Sequence, residues 1–355
     1  MPKILFLFFL CCSVACFAQG DETNEARKYY NAGAEHYNKG EFIEAIQDFS
    51  TGLKNRSVIT DSYLVCDLYL ERAMCRLFLG SRDAFADANE AVKIKPEYSR
   101  SYYVRSRIRL MLLKDADNAL ADVDTALRSK PGDIDFLMQK MTCYNSKKMY
   151  TEALNTVNKV LDEDSKNSAV LKQRAAIYTS LREYDSSIRD FKQVLEAHPD
   201  DFEARCDLGF AYAKKNDWEN AKQYFLLSIK VADSNQVVYT YNNLAYFVGQ
   251  ITGDYKASVG YCDKAIEKNP RFAYSFSNRG FAKFKLGDSK AALKDIQKSI
   301  DMDPKNSYAY KNRALVLISE NKISSACLDL NKAKQLDYAI LYDDEVDQLL
   351  LKYCP

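Results

Sequence analysis

The sequence predicts an all-helical fold, a solenoid of stacked helix pairs, on three observations. A pattern of about 34 residues runs nearly nine times, which marks a repeat array rather than one globular core. Its clearest copies are 273–304, with Gly280, Gly287, Ala292 and Pro304, and 168–199, with Ala175, Tyr178, Phe191 and Pro199. Glycine and proline are sparse, 12 and 7 in 355 residues, as long helices require. Pro96, Pro131, Pro199, Pro270 and Pro304 recur near one repeat position, where a helix has ended and proline is tolerated.

Residues 1–18 stand apart. Lys3 is followed by the apolar run Ile4–Val14 and then by small or polar residues around Cys16-Phe-Ala-Gln. This predicts a secretory signal peptide cleaved near Ala18–Gln19, and the run is short for a membrane span. Two rivals are a buried N-terminal helix and a lipoprotein anchored through Cys16. The Phe-Ala-Gln ending resembles exported proteins of the Bacteroidetes group.

Repeat one starts at Ala26 and carries Gly33, Gly40, Ala45 and Phe49. A longer connection around Leu53–Ser62 leads to repeat two, with Ala73, Gly80, Ala84, Ala88, Ala91 and Pro96. Repeat three has Ala119, Val123, Ala126 and Pro131, and repeat four has Met141, Tyr144, Ala153, Val157 and Val160. After the clean fifth repeat come Leu208, Gly209, Tyr212, Trp218, Ala221 and Phe225 in the sixth. The seventh has Leu244, Ala245, Gly253, Ala265 and Pro270, with one inserted residue before Gly253. The eighth is clean, and the ninth has Ala314, Ala326, Leu330 and Ala333. Small residues at two facing points let paired helices approach, and larger ones fill the space between. In 343–353, Val346, Leu349, Leu350 and Tyr353 share one helical face, which predicts a helix capping the last repeat.

These spacings resemble tetratricopeptide repeats over 26–338. That family has small residues at positions 8, 20 and 27, an aromatic near 11, a large apolar residue at 24 and proline at 32. The resemblance implies a right-handed superhelix of about nine repeats. It puts Arg107 at position 8 of repeat three and His36 at the packed aromatic position of repeat one. It implies a groove lined by first-helix residues, here Tyr239, Asn242, Asn243 and Tyr246, then Tyr274, Ser277, Asn278, Phe281 and Phe284, then Tyr308, Lys311 and Asn312. Asn243, Asn278 and Asn312 repeat at position 6 and suggest an amide ladder for an extended peptide backbone. Tyrosines offer apolar area with a polar tip. The alternative makes these tyrosines helix-packing residues. The family's two-carboxylate clamp is not matched, because Lys172 is followed by Ala176 and Lys311 by Leu315.

Arginine at position 7 accompanies aspartate at position 23: Arg72 with Asp87, Arg174 with Asp190, Arg279 with Asp295 and Arg313 with Asp329. Repeats six and seven change both members together, to Leu208 with Tyr224 and Leu244 with Tyr261. The pairs therefore read as ties between helices. Arg105, Arg107 and Arg109 form a basic cluster that either meets an acidic partner or balances Asp115, Asp117 and Asp122.

Without Lys3 the chain has 49 basic and 49 acidic side chains, so no global field draws nucleic acid. Of ten cysteines, Cys11, Cys12 and Cys16 fall in the leader. Seven remain, and one pair, Cys327 with Cys354, lies where a disulfide staples the open end in an oxidising compartment. Only His36 and His198 occur, too few for a histidine metal site. No nucleophile elbow or phosphate loop is present. The expectation is a non-enzymatic scaffold without cofactor that binds a protein or extended peptide, in the periplasm or cell envelope. The alternatives are an envelope or secretion complex subunit, and a glycan or peptidoglycan binder.

Overall fold

The computed structural model describes the backbone of residues 5–338 and 344–354, and side chains from residue 22 onward within them except 234, 235 and 250. The leader residues 1–4 and the start of the expected cap at residue 343 lie outside the described residues. The chain divides into two compact units, residues 1–177 and 178–355.

Unit one holds helix pairs α1 (Leu5–Lys39) with α2 (Phe42–Gly52), α3 (Ser62–Phe78) with α4 (Asp83–Ile94), α5 (Ser99–Ile108) with α6 (Ala116–Ser129), and α7 (Ile134–Ser146) with α8 (Tyr150–Glu163). Helix α9 (Ser168–Ser180) spans the division and precedes α10 (Tyr184–Ala197). Unit two continues with α11 (Phe202–Lys214) and α12 (Trp218–Ile229), α13 (Ser234–Phe247) and α14 (Tyr255–Lys268), α15 (Ala273–Lys285) and α16 (Ser289–Met302), and α17 (Ser307–Ser319) and α18 (Ile323–Gln335). Helix α19 (Glu345–Tyr353) packs on α18 as the terminal cap. The fold is thus all-α, nine helix pairs and a cap among the described residues.

Each pair turns through one left-handed residue: Gly40, Gly80, Lys114, Lys148, Arg182, Asn216, Gly253, Gly287 and Asn321. From Lys114 to Asn216 these recur at intervals of 34, so the sequence period is also the period of backbone reversal. Second helices open on aspartates such as Asp217, Asp254 and Asp288, whose side chains accept from the backbone N–H three residues on.

Close approach sets the pairing. A Cβ on Gly280 would stand 2.6 Å from Ile296 and 2.9 Å from the Ala292 carbonyl. On Gly33 it would meet the Phe49 ring at 2.6 Å. In repeat three the crossing residue is Ser106, fully buried with its hydroxyl donating to the Ala119 carbonyl at 2.7 Å. This corrects the placement of Arg107 there. A five-residue π-helical turn, Arg109–Leu113, adds a residue between the small positions, so counting back from Ala119 at the usual spacing stops one residue short of Ser106. Repeat seven absorbs its inserted residue the same way, through Val248–Thr252, and Ser258 donates to the Ala245 carbonyl at 2.7 Å. His36 also departs from expectation. It is about one third exposed, with Nδ1 2.8 Å from Asp48, rather than packed in the core.

The arginine–aspartate pairs are forks between first and second helices. Arg72 Nε and Nη2 meet Asp87 at 2.9 and 2.7 Å, Arg279 meets Asp295 at 2.8 and 2.8 Å, and Arg313 meets Asp329 at 2.7 and 2.6 Å. Arg105 makes the same fork to Asp122 at 2.9 and 2.6 Å, and Arg109 joins at 2.7 Å. Two members of the basic cluster are therefore spent inside the repeat. The Nη1 of each of these four arginines, and that of Arg174, reaches back to the previous second helix: Arg72 to Ser50, Arg105 to Asn89, Arg174 to Asn158, Arg279 to Asp263 and Arg313 to Gln297. Where the pair is replaced, Tyr212 stacks on Tyr224 and Tyr241 on Tyr261.

Candidate peptide-binding face

First helices also touch one another within each unit, α1 on α3, α3 on α5, α5 on α7, α13 on α15 and α15 on α17. The twelve residues expected to line a groove lie on three of these first helices, α13, α15 and α17, in unit two.

The structure separates those residues into an exposed rim and a buried floor. Tyr239 is 56% exposed and Tyr274 39%. Between them sits Phe272, with Tyr239 edge-on at 4.9 Å and Tyr274 tilted at 5.6 Å. Burial raises the Tyr274 hydroxyl pKa, and Asp303 beside it adds to the rise. Phe272 was missed in the sequence because it precedes the helix as its N-cap residue, outside the positions the repeat pattern names.

The amides do not form the expected ladder. Asn278 donates to Asn242 at 2.9 Å, and Asn312 donates to the Ser277 hydroxyl at 3.1 Å. The rung runs from position 6 of one repeat to position 5 of the one before, and Asn243 is not part of it. Asn278 is 8% exposed and Asn312 fully buried, so both stitch repeats together rather than face solvent.

Phe281 and Tyr308 are also buried, at 6% and 5%. Tyr246 meets Tyr308 edge-on at 5.9 Å, and Tyr308 stacks on Tyr338 at 6.3 Å. Among these rings lies Lys311, only 2% exposed. Its ammonium is 4.4 Å from the Tyr308 ring centre, 5.5 Å from Phe281 and 5.9 Å from Tyr338. Glu345 of α19 supplies a carboxylate at 3.0 Å. A buried ammonium is tolerated only with such compensation. Cys327 of α18 and Cys354 are joined by a disulfide, with Cα atoms 5.7 Å apart.

Unit one carries a comparable arrangement that the sequence pattern did not single out. Tyr63, 49% exposed, meets Tyr98 edge-on at 5.1 Å, and Lys95 lies 4.1 Å over its ring centre. Tyr98 donates to Asp67 at 2.8 Å, and Arg100 bridges Asp67 and Glu71. These contacts join residues 29 to 35 apart, so only the repeat period could have suggested them.

Among the described residues no group of three or more His, Cys, Asp or Glu side chains is placed to hold a metal. The thiols of Cys66 and Cys75 are pushed up by burial to about 11 and about 12, far from the range of a nucleophile. No helix among the described residues is long and apolar enough to cross a membrane.

Models of the tetratricopeptide repeat match residues 174–236 and 273–306. A crystal structure of a tetratricopeptide repeat protein from Parabacteroides merdae superposes with a TM-score of 0.61 at 21% identity, covering 72% of this chain and 99% of that one. The Cut9–Hcn1 hetero-tetramer structure of the APC/C gives a TM-score of 0.51 at 14% identity, over 93% of this chain and 76% of that one. These likenesses concern fold. Among curated proteins, DnaJ homolog subfamily C member 3 from Bos taurus is 21% identical over 225 residues, 58% of this chain and 43% of that protein. The mouse protein of the same name matches at the same identity and coverage. The chain therefore spans less than half the length of the curated relatives it matches.

Proposed function

We propose that this tetratricopeptide-repeat protein is an exported, non-enzymatic scaffold that binds an extended peptide or protein segment in the periplasm or cell envelope. The observation that carries the binding surface is the aromatic rim of Tyr239, Phe272 and Tyr274 at the first helices of unit two. Exposed tyrosines on a rigid, closely packed backing supply contact area at low entropic cost. The amide stitches behind them hold neighbouring first helices in fixed register, so the rim is ordered before a partner arrives. Export rests on the N-terminal sequence alone, with its basic start, short apolar run and Ala18–Gln19 junction.

The test is affinity capture from envelope extract, with the mature chain beside a Tyr239→Ala, Tyr274→Ala double variant of equal helical content. Loss of a captured partner in the variant supports the rim. Retention of every partner overturns it and moves the binding surface elsewhere. The second reading, a subunit of an envelope complex held by its turn edge, is favoured by Phe78, Leu79 and Met111, each about half exposed near helix-pair turns of unit one.

A further inference from the structure

We infer that the joint between the sixth and seventh helix pairs is a pocket for an arginine side chain presented by a partner protein. None of its residues belongs to the aromatic rim. The pocket follows from what the seventh pair lacks. In pairs two, three and eight, two long cations four residues apart on the first helix converge on one aspartate of the second. They are Arg72 and Arg76 on Asp87, Arg105 and Arg109 on Asp122, and Arg279 and Lys283 on Asp295. The same three places in the seventh pair hold Leu244, Val248 and Tyr261, and all three line a cavity of about 320 Å³ shared by α12, α13 and α14. Leucine and valine are too short to fill the space that two long cations take elsewhere, and the volume left is that of a ligand site. Among the described residues, α12 and α13 also pack more sparsely than any other two successive helices of unit two.

The floor is apolar. Phe225 and Leu244 are each 1% exposed, and Phe247 stacks on Phe225 at 5.5 Å. Half-buried Trp218 tilts against Phe247 at 6.0 Å. The mouth is charged, with exposed Glu219 and Lys222 from α12 and Asp254, whose carboxylate also caps α14. Glu219 makes no ion pair among the described residues. Two carboxylates against one ammonium, beside aromatic walls, fit a planar cation. A guanidinium lies flat on an indole while its N–H groups meet a carboxylate, and its methylene stem covers apolar floor. The chain already sets cations on the rings of its two forkless pairs. Lys192 lies 5.7 Å from the Tyr212 ring centre, and Lys264, outside the cavity wall, 5.7 Å from that of Tyr261. A partner's arginine therefore takes the place that the chain's own arginine fills in the pairs that keep the fork.

Trp218 is the single tryptophan of the chain, so its fluorescence reports on the cavity directly. The full mature chain is titrated with capped alanine pentapeptides that carry arginine, glutamine or glutamate at the centre. The arginine peptide is expected to shift the Trp218 emission and to bind about ten-fold tighter than the other two. Glu219→Gln should weaken that binding about ten-fold and Lys222→Gln should strengthen it, each with unchanged helical circular dichroism. Leu244→Arg with Tyr261→Asp rebuilds the fork inside the seventh pair and should abolish binding. If that double change unfolds the chain, the two exposed charge changes on α12 still decide. No emission shift with the arginine peptide overturns the pocket. Equal binding of the three peptides, or an indifferent Glu219→Gln, overturns the assignment of a cation. Agmatine, a free guanidinium on a carbon chain, binding tighter than the arginine peptide would make the site one for a small molecule and overturn the partner side chain. Tyr239→Ala with Tyr274→Ala should leave every titration unchanged, so the rim stands or falls separately.

Discussion

At the residue scale, the nine helix-pair turns are a comparison made inside one molecule. All nine turn residues adopt positive φ, but four are glycine, two asparagine and three lysine or arginine. A lysine there holds a conformation that costs about 1–2 kcal/mol for an L-residue, against about 0.5–1 kcal/mol of extra chain entropy that glycine brings to the unfolded state. Lys148→Gly should therefore stabilise by about 0.5–1 kcal/mol and Gly287→Ala destabilise by about 1 kcal/mol. Chemical unfolding midpoints check both; movement of both in one direction would refute the argument. The turn glycines were readable from the repeat, but Lys114, Lys148 and Arg182 carry no local sign of their backbone, and only their spacing from Gly80 gives it. The buried state of Lys311 was harder still. Its aromatic neighbours Phe281 and Tyr338 come from other segments, and lysine is a residue type normally read as solvated.

At the scale of the helix pair, the buried aspartates decide how the array responds to acid. Burial pushes the Asp295 carboxyl up, but hydrogen bonds and charge from Arg279 and Lys283 outweigh it and hold the value below that of an ordinary aspartate. A depressed carboxyl contributes stability above its unfolded pKa, about 3.9, and that contribution is lost as pH falls through the lower native value. Asp295→Asn is expected to cost about 3–5 kcal/mol near neutrality, since it leaves Arg279 without its buried counter-charge. The gap to wild type should narrow as pH falls below about 4, where the unfolded carboxyl takes up its proton while the native one is still charged. Urea unfolding between pH 7 and pH 2 reads this, and a gap that stays constant with pH would show the pair to be a packing contact. The covariation of positions 7 and 23 made these forks legible. Arg105 escaped because the π-helical turn shifts repeat three by one residue, and a repeat register counted from one helix is blind to an insertion in the other.

At the scale of the whole molecule, fold was far more legible than site. Nearly nine copies of one spacing determine how every helix packs on the next, whereas a partner touches a few side chains that the period does not constrain. Asn278 and Asn312 show the limit. Their recurrence suggested a ligand ladder, yet the same recurrence serves stitching between repeats, and only the contacts to Asn242 and Ser277 tell the two apart. The proposed export is likewise tested on the intact chain. Mass spectrometry of the protein recovered from its producing cells should give a mature form beginning at Gln19. A mass that retains Met1, or a lipid-modified Cys16 at the start, would replace the cleaved-leader reading.

The backward reach of each fork arginine has a consequence for how such an array can be cut and rejoined. Arg279 belongs by chain to the eighth helix pair, yet one of its acceptors, Asp263, lies in the seventh, and Arg313 leans in the same way on Gln297 of the eighth. A recombination joint placed between pairs, at a proline turn such as Pro270, would strand a guanidinium from its acceptor. A joint placed at the glycine of a turn, near Gly287, would keep that backward contact but part Arg279 from Asp295. Each guanidinium thus ties three successive helices, and the unit that moves intact is longer than the repeat that the sequence displays.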